Sequence, residues 1–171
     1  AGTAVALEFD VPLEVVAERA ASLRPASRRG EIVRLRDITV IDDSYNANPT
    51  ATRRALDVLA GDRHAARRVA VLGEMLELGD RASALHQEVG RAVATAGVDL
   101  LLAVGGPAAS ALAEAAMAAG MPRDRVRHFA TSEDAAAAAA ELVEPGDLVL
   151  VKGSRGVRTD RVVDRLKMER A

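Results

Sequence analysis

The residues of this 171-residue chain that could do chemistry fall into three short polar segments, two of which hold residue types that the rest of the chain nearly avoids. The first, Asp42-Asp43-Ser44-Tyr45-Asn46-Ala47-Asn48-Pro49, contains the only tyrosine and both asparagines of the sequence. Carboxylates, amides and a phenol in one loop can hold hydroxyls and ring nitrogens by directional hydrogen bonds, which is what a nucleotide requires. The same residues would also make an Asx turn and a helix N-cap, with Pro49 in the first helical turn. For Asp42 or Asp43 taken alone the turn is the simpler reading. The gathering of scarce types into one loop favours binding.

The second segment is Gly73-Glu74-Met75-Leu76-Glu77-Leu78-Gly79. It reads equally as a glycine-flanked connector with solvated glutamates and as part of a site. His86 lies in the helical stretch that follows, where a lone histidine more often packs or caps than acts as a base. The third, Val151-Lys152-Gly153-Ser154-Arg155-Gly156, sets an ammonium, a hydroxyl and a guanidinium among glycines. Lysine is avoided almost everywhere else, and Arg155 can hold a carboxylate or phosphate with two parallel hydrogen bonds. The alternative is a basic turn that tethers the last helix. Arg29, in a charged stretch further upstream, reads by itself as a solvated linker charge. His64 and His128 have no partner pattern, and Gly105-Gly106 reads as a turn. The GxxxxGK[ST] order of a P-loop is absent, and no Ser-His-Asp or metal-ligand spacing stands out.

The elements that must position these segments follow from periodicity. Residues 1–23 read as helical, with Val11-Pro12 opening an amphipathic stretch. Arg24-Pro25-Ala26-Ser27-Arg28-Arg29-Gly30 has linker chemistry, so a domain boundary is placed there. Two short strands, 31–35 and 38–41, flank a turn at Arg36-Asp37. Helices and strands then alternate: helices over 49–59, 81–96, 108–119, 132–143 and 158–168, and strands over 68–72, 100–104, 126–129 and 148–151. Ser132 is a candidate N-cap. The Ala-rich run 135–140 reads as helix, since Ala is the best helix former. Strands such as Val69-Ala70-Val71-Leu72 and Leu148-Val149-Leu150-Val151 are apolar on both faces, which a parallel sheet covered by helices on both sides requires. The expected fold is therefore α/β: a doubly wound, mostly parallel sheet, Rossmann-like, with ligands bound outside the carboxyl ends of the strands. All three polar segments leave such ends.

Composition narrows the partners. The formal charge is -2 and basic residues are scattered, which argues against nucleic acid. There is no cysteine, so neither a disulfide nor a thiolate metal site can form. No apolar run reaches membrane-spanning length and no signal-peptide pattern opens the chain, so a soluble cytoplasmic protein with no membrane insertion is expected.

Taken together and in order, the three motifs with His86 resemble the Mur ligase family, from about Arg29 to the end of the chain. The Tyr45-Asn46-Ala47-Asn48-Pro49 form resembles the branch that adds D-alanyl-D-alanine. The resemblance implies that residues 26–171 are the family's C-terminal domain, and residues 1–25 the helical tail of its central ATPase domain with the linker. It implies ATP as cofactor, and Mg2+ held mainly by domains absent from this chain. It implies a reaction in which the peptide carboxylate of UDP-N-acetylmuramoyl-tripeptide is activated as an acyl phosphate and attacked by the amino group of D-alanyl-D-alanine. By the same resemblance Arg29 reaches the terminal phosphate of ATP. Asp43, Tyr45, Asn46 and Asn48 hold adenine and ribose. Lys152, Ser154 and Arg155 meet the incoming dipeptide, and Glu74, Met75, Glu77 and Leu78 line the same cleft less directly. No residue is assigned to a metal. Arg28 stands where the family often carries glycine, a departure that bears on the stiffness of the hinge. With the family's P-loop missing, these 171 residues alone are expected to be inactive as a ligase. Two alternatives remain at this point: a sister Mur ligase or folylpolyglutamate synthase-like domain, and a non-catalytic module that binds a nucleotide or a carboxylate.

Overall fold

The computed structural model describes residues 2–22 and 26–170. Six strands form one sheet: β1 (Glu31–Arg34), β2 (Thr39–Asp43), β3 (Arg68–Gly73), β4 (Leu100–Val104), β5 (Val126–Phe129) and β6 (Leu148–Lys152). They are ordered β1-β2-β6-β3-β4-β5, and only the edge strand β1 runs antiparallel to its neighbour. Helices α3 (Pro49–Gly61), α4 (Ala82–Thr95) and α5 (Pro107–Ala118) follow β2, β3 and β4, whereas α6 (Ser132–Leu142) and α7 (Asp160–Arg170) flank β6 in sequence.

The two-sided burial expected from the apolar strands is present, and its period is two. Ala70, Leu72, Leu101, Ala103 and Leu150 pack with Leu56, Leu59, Val89, Val93 and Leu112 of α3–α5. Their neighbours Val69, Val71, Leu102, Val104 and Val149 pack instead with Ala135, Ala139, Val162, Val163 and Leu166 of α6 and α7. Successive side chains of a strand point to opposite faces, so a continuous apolar run is what a doubly covered strand needs. The edge strand β1 alternates half-buried and exposed positions, as a strand with one wet face should.

Three local expectations are corrected. The first helical segment is two helices, α1 (Gly2–Glu8) and α2 (Leu13–Ser22), because Asp10 takes a left-handed backbone (φ 55°) just before Pro12. The N-cap of α6 is Thr131, whose hydroxyl accepts from Asp134 N, and Ser132 instead donates to Val157 O. The last helix begins at Asp160, because Arg158 is left-handed (φ 64°) and cannot continue a right-handed helix. Leu23, at the end of the expected first helical segment, and Arg24 and Pro25 of the expected linker lie outside the described residues. No residue of α1 or α2 is buried.

Strand order decides what the carboxyl end of the sheet can do. Right-handed crossovers from β2 out to β5 put α3–α5 on one face, and the return to β6 puts α6 on the other. β6 thereby lands between β2 and β3, and the chain leaving it turns to the face opposite its neighbours' helices. Such a reversal opens a crevice at the strand ends.

Candidate active-site cleft

The three polar segments leave three adjacent strands, β2, β6 and β3, so residues 42–49, 152–156 and 73–79 meet although they are far apart in sequence. In register, Lys152 lies opposite Asp43 on one side and Leu72 on the other. Its ammonium donates to Asp43 Oδ2 at 2.6 Å and to Asn46 O at 2.9 Å, with only 3% of the residue exposed. The sequence expectation directed Lys152 at the dipeptide. In the structure its charge ties the third loop to the first, so it acts on the site by holding Asp43 and the backbone of Asn46.

Within the first loop, buried Asp42 accepts from Ser44 Oγ at 2.5 Å and Ser44 N at 3.2 Å, which closes the turn. Asn46 Oδ1 accepts from Ala47 N, and Asn48 Oδ1 accepts from Ala51 N at 2.9 Å as the N-cap of α3. The capping geometry is therefore real for Asn48, and it leaves the side-chain NH2 groups of both asparagines without a partner among the described residues. Tyr45 is 39% exposed, with the Arg29 guanidinium 4.1 Å above its ring centroid and that of Arg155 at 5.7 Å. Two exposed cations on one phenol ring bring the linker and the third loop together and make the mouth of the crevice positive.

The second loop is stapled to the third. Ser154 N donates to Glu74 O at 3.1 Å, and Leu76 N donates to Ser154 Oγ at 2.9 Å. The approach depends on two glycines: a Cβ on Gly73 would lie 2.6 Å from Thr159 Cγ2 and 3.2 Å from Gly153 Cα. Glu74 Oε1 accepts from Ala108 N and Ala109 N at 3.0 and 3.2 Å, so its carboxylate caps the amino end of α5, where the N-cap Gly106 has no side chain to offer. His86 is fully buried: Nδ1 donates to Ala82 O at 2.7 Å and Nε2 accepts from Met75 N at 2.9 Å. Those partners demand a neutral ring with its proton on Nδ1, so His86 braces the loop and has no free nitrogen for proton transfer.

Two clefts flank these joined loops. One, of about 620 Å³, lies between β1, β2 and α3, with apolar walls from Ile32, Ala55 and Val58 and polar groups from Asp43, Asn48 and Arg54. The other, of about 380 Å³, lies beyond β6, where Glu74, Gly106, Thr131, Glu133, Arg158 and Arg161 contribute to its lining. Among the described residues no group of three or more His, Asp or Glu side chains is arranged to hold a metal ion.

Residues 28–155 match the family model described as the glutamate ligase domain of Mur ligases. The chain belongs to the Mur ligase family. It is 41% identical over 182 aligned residues to UDP-N-acetylmuramoyl-tripeptide–D-alanyl-D-alanine ligase of Mycobacterium tuberculosis, covering 95% of this chain and 36% of the relative. Among solved structures it resembles a crystal structure of MurF from Acinetobacter baumannii (TM-score 0.84, 30% identity, 95% of this chain and 35% of that one). It also resembles the MurF ligase of Thermotoga maritima in complex with ADP (TM-score 0.71, 28% identity, 87% of this chain and 32% of that one). The chain thus spans about a third of the length of the relatives it matches.

Against this Mur ligase fold the sequence candidates divide. Arg29, Asp43, Tyr45, Asn46, Asn48, Lys152, Ser154, Arg155 and Glu74 are brought to the joined loops. Met75 is not: its side chain is 3% exposed, packs in the core under α3 and α4, and takes the Thr52 hydroxyl at 3.7 Å. Leu78 packs partly against the same core, and Glu77, at φ 64°, lines neither cleft. Leu76, 43% exposed, lines the second cleft in place of Met75. Sequence reasoning passed over Arg158 and Arg161 as helix residues and Gly106 as a turn. Arg28, noted from the sequence only as a departure from glycine that bears on the hinge, pairs its guanidinium with Asp160 and, at 3.5 Å, with Asp164.

Proposed function

We propose that this chain is the C-terminal domain of an ATP-dependent ligase that adds D-alanyl-D-alanine to UDP-N-acetylmuramoyl-tripeptide in peptidoglycan precursor synthesis. The observation that carries the reading is the junction of three loops at β2, β6 and β3, with one cleft suited to a nucleoside and another to a zwitterion. Relatives named for that reaction match nearly the whole of this chain. By this reading residues 1–25 are the end of a preceding ATPase domain and residues 26–171 the substrate-closing domain.

The donor set suits ATP at its nucleoside end. The cleft beside β2 offers Asp43 to ribose hydroxyls, the amide of Asn48 to ring nitrogens, and an apolar wall to a flat base, with the exposed amide of Asn46 in the adjoining loop. Tyr45 holds Arg29 by its ring face, and Arg29 is the cation free to reach a terminal phosphate. Lys152 fixes Asp43 and the Asn46 backbone, so its role is to position that half of the site. ATP supplies the phosphoryl group that makes the acceptor carboxylate a competent acyl donor. Mg2+ belongs to the parts of the ligase outside these residues.

The dipeptide is read into the second cleft. Arg158 faces its carboxylate and Glu74 its amino end, with Ser154 holding the two loops together and Arg155, on the Tyr45 ring, offering a second guanidinium from the joined loops. Met75 and Leu78 support the loop from beneath. Holding nucleophile and acceptor in one geometry supplies much of the rate of such a reaction. No helix among the described residues is long and apolar enough to cross a membrane, and the reading places the enzyme in the cytoplasm, where ATP and nucleotide-linked precursors are present.

The test uses the complete native polypeptide with ATP, Mg2+, UDP-N-acetylmuramoyl-tripeptide and D-alanyl-D-alanine, following phosphate release and product mass. Phosphate release that depends on the dipeptide, with the pentapeptide product, is the expected result. Turnover with a single amino acid in place of the dipeptide would move the assignment to a sister ligase. Ligation by the 171 residues alone would overturn the domain reading.

A further inference from the structure

Arg28 and Arg158 belong to different parts of the site and meet on one carboxylate. Arg28 lies before the sheet, next to Arg29, and Arg158 lines the cleft beyond β6. Asp160, only 4% exposed, takes Arg28 NH1 on Oδ2 and Arg158 Nε on Oδ1, the latter at 3.2 Å. It stands in the first turn of the 11-residue helix α7, where a negative side chain is favoured by the helix dipole. Both arginines hold left-handed backbones, φ 62° at Arg28 and φ 64° at Arg158, a conformation in which β-carbon crowding disfavours ordinary residues. The shared carboxylate over-determines both.

Arg28 is fastened on every side. Its N–H donates to Glu31 Oε2, its carbonyl accepts from Tyr45 N at 3.0 Å, and its guanidinium reaches Asp164 one turn along α7. Burial draws the Arg28 guanidinium toward a lower pKa, but the hydrogen bond to Asp160 and the charges of Asp160, Asp164 and Asp42 together hold it above its ordinary value. The docked Arg28 guanidinium therefore keeps its charge against burial.

We infer that Asp160 is a positioning residue that couples docking of the linker to the cleft beyond β6, because Arg28 and Arg158 share its two oxygens. With Arg28 docked, Oδ2 is taken and Arg158 is limited to its Nε contact. The terminal nitrogens of Arg158 then have no partner among the described residues and can face the cleft. With Arg28 withdrawn, a nearly buried carboxylate oxygen has no cation, and Arg158 satisfies it by a two-pronged hydrogen bond that draws those nitrogens out of the cleft. The docked linker is also the state that sets Arg29 on Tyr45. Readiness at the nucleotide side and at the dipeptide side thus follow from one contact, and each favours the other by linkage. That the cleft takes the dipeptide rests on the function proposed above.

The experiment has two arms. In the first, Arg Nε–H signals of the 171-residue chain are followed by NMR with no ligand present, in wild type and in Arg28→Ala. A shift and altered solvent exchange of the Arg158 Nε–H on loss of Arg28 are expected, and an unchanged signal overturns the coupling whatever the protein's function. In the second, steady-state kinetics are measured on the complete ligase. Arg28→Ala, which does not line the dipeptide cleft, raises KM for D-alanyl-D-alanine about fivefold or more, within the usual span of coupling between sites. Combining it with Arg158→Ala adds little to Arg158→Ala alone, Asp160→Asn behaves like the pair, and Asp160→Glu restores most of the loss. Multiplying effects of Arg28→Ala and Arg158→Ala, or a change in ATP use alone, would overturn it. Absence of ligation by the wild-type enzyme would count against the function proposed above, and the NMR arm would still decide the coupling.

Discussion

The two ends of the sheet use the same kind of residue in opposite ways. At the amino ends, Arg67 places Nε and NH2 on the Asp147 carboxylate at 3.0 and 2.8 Å, NH2 also on Leu142 O, and NH1 on Glu144 at 3.0 Å. Asp147 itself has no exposed side-chain surface and also accepts from Glu144 N. Hydrogen bonding to Asp147 holds the Arg67 guanidinium above its ordinary pKa, against the pull of burial. Arg170 likewise closes on Asp37 at 2.8 Å and on Val143 O. At the carboxyl ends, Arg29 and Arg155 rest on the face of Tyr45, which orients a guanidinium without neutralising it. Saturated cations build the fold, and oriented cations with hydrogen-bonding capacity left over make a site for a phosphate or carboxylate.

Substitutions sharpen that contrast. Arg67→Ala leaves the Asp147 carboxylate buried without its cation and should cost about 3 kcal/mol of stability, read by denaturant unfolding, since breaking a buried pair from one side is strongly destabilising. A loss below about 0.5 kcal/mol would mean that the amino-end network is no more structural than a surface pair. Arg155→Ala should do the reverse. Stability is expected to stay within about 0.5 kcal/mol of wild type, while kcat/KM for the dipeptide in the complete ligase falls about tenfold, or about 1.4 kcal/mol of transition-state binding. An unfolding midpoint lowered as far as that of Arg67→Ala would erase the distinction. Asn48→Ala lies between the two roles. Loss of the α3 N-cap should cost about 1 kcal/mol of stability, and KM for ATP should rise with KM for the dipeptide unchanged. A stability loss with normal ATP use would make Asn48 a cap and nothing more.

Much of this was legible in the chain. Apolar runs on both faces of β3 and β6 announced a covered parallel sheet, and β4 and β5 were placed to the residue. The scarcity of Lys, Asn and Tyr pointed to loops that the fold does bring to one crevice. What misled was local direction. Met75 and Leu76 are adjacent and both apolar, and nothing in their types says which one turns into the core. Arg28 looked like a misplaced glycine. Its backbone does take a left-handed conformation that glycine would accept freely, and the ion pairs to α7 offset the strain of a side chain there.

The sequence by itself determined the elements, the doubly wound class and the three polar segments, because periodicity, capping and turn chemistry act within a few residues along the chain. Only the tertiary structure decided that β6 inserts between β2 and β3, and hence that Lys152 meets Asp43, Ser154 meets Glu74 and Leu76, and Asp160 joins Arg28 to Arg158. Those pairings span about 80 to more than 100 residues for all but the last Arg158 contact. They depend on the handedness of successive crossovers and on strand register, properties of the packed whole that no local pattern carries.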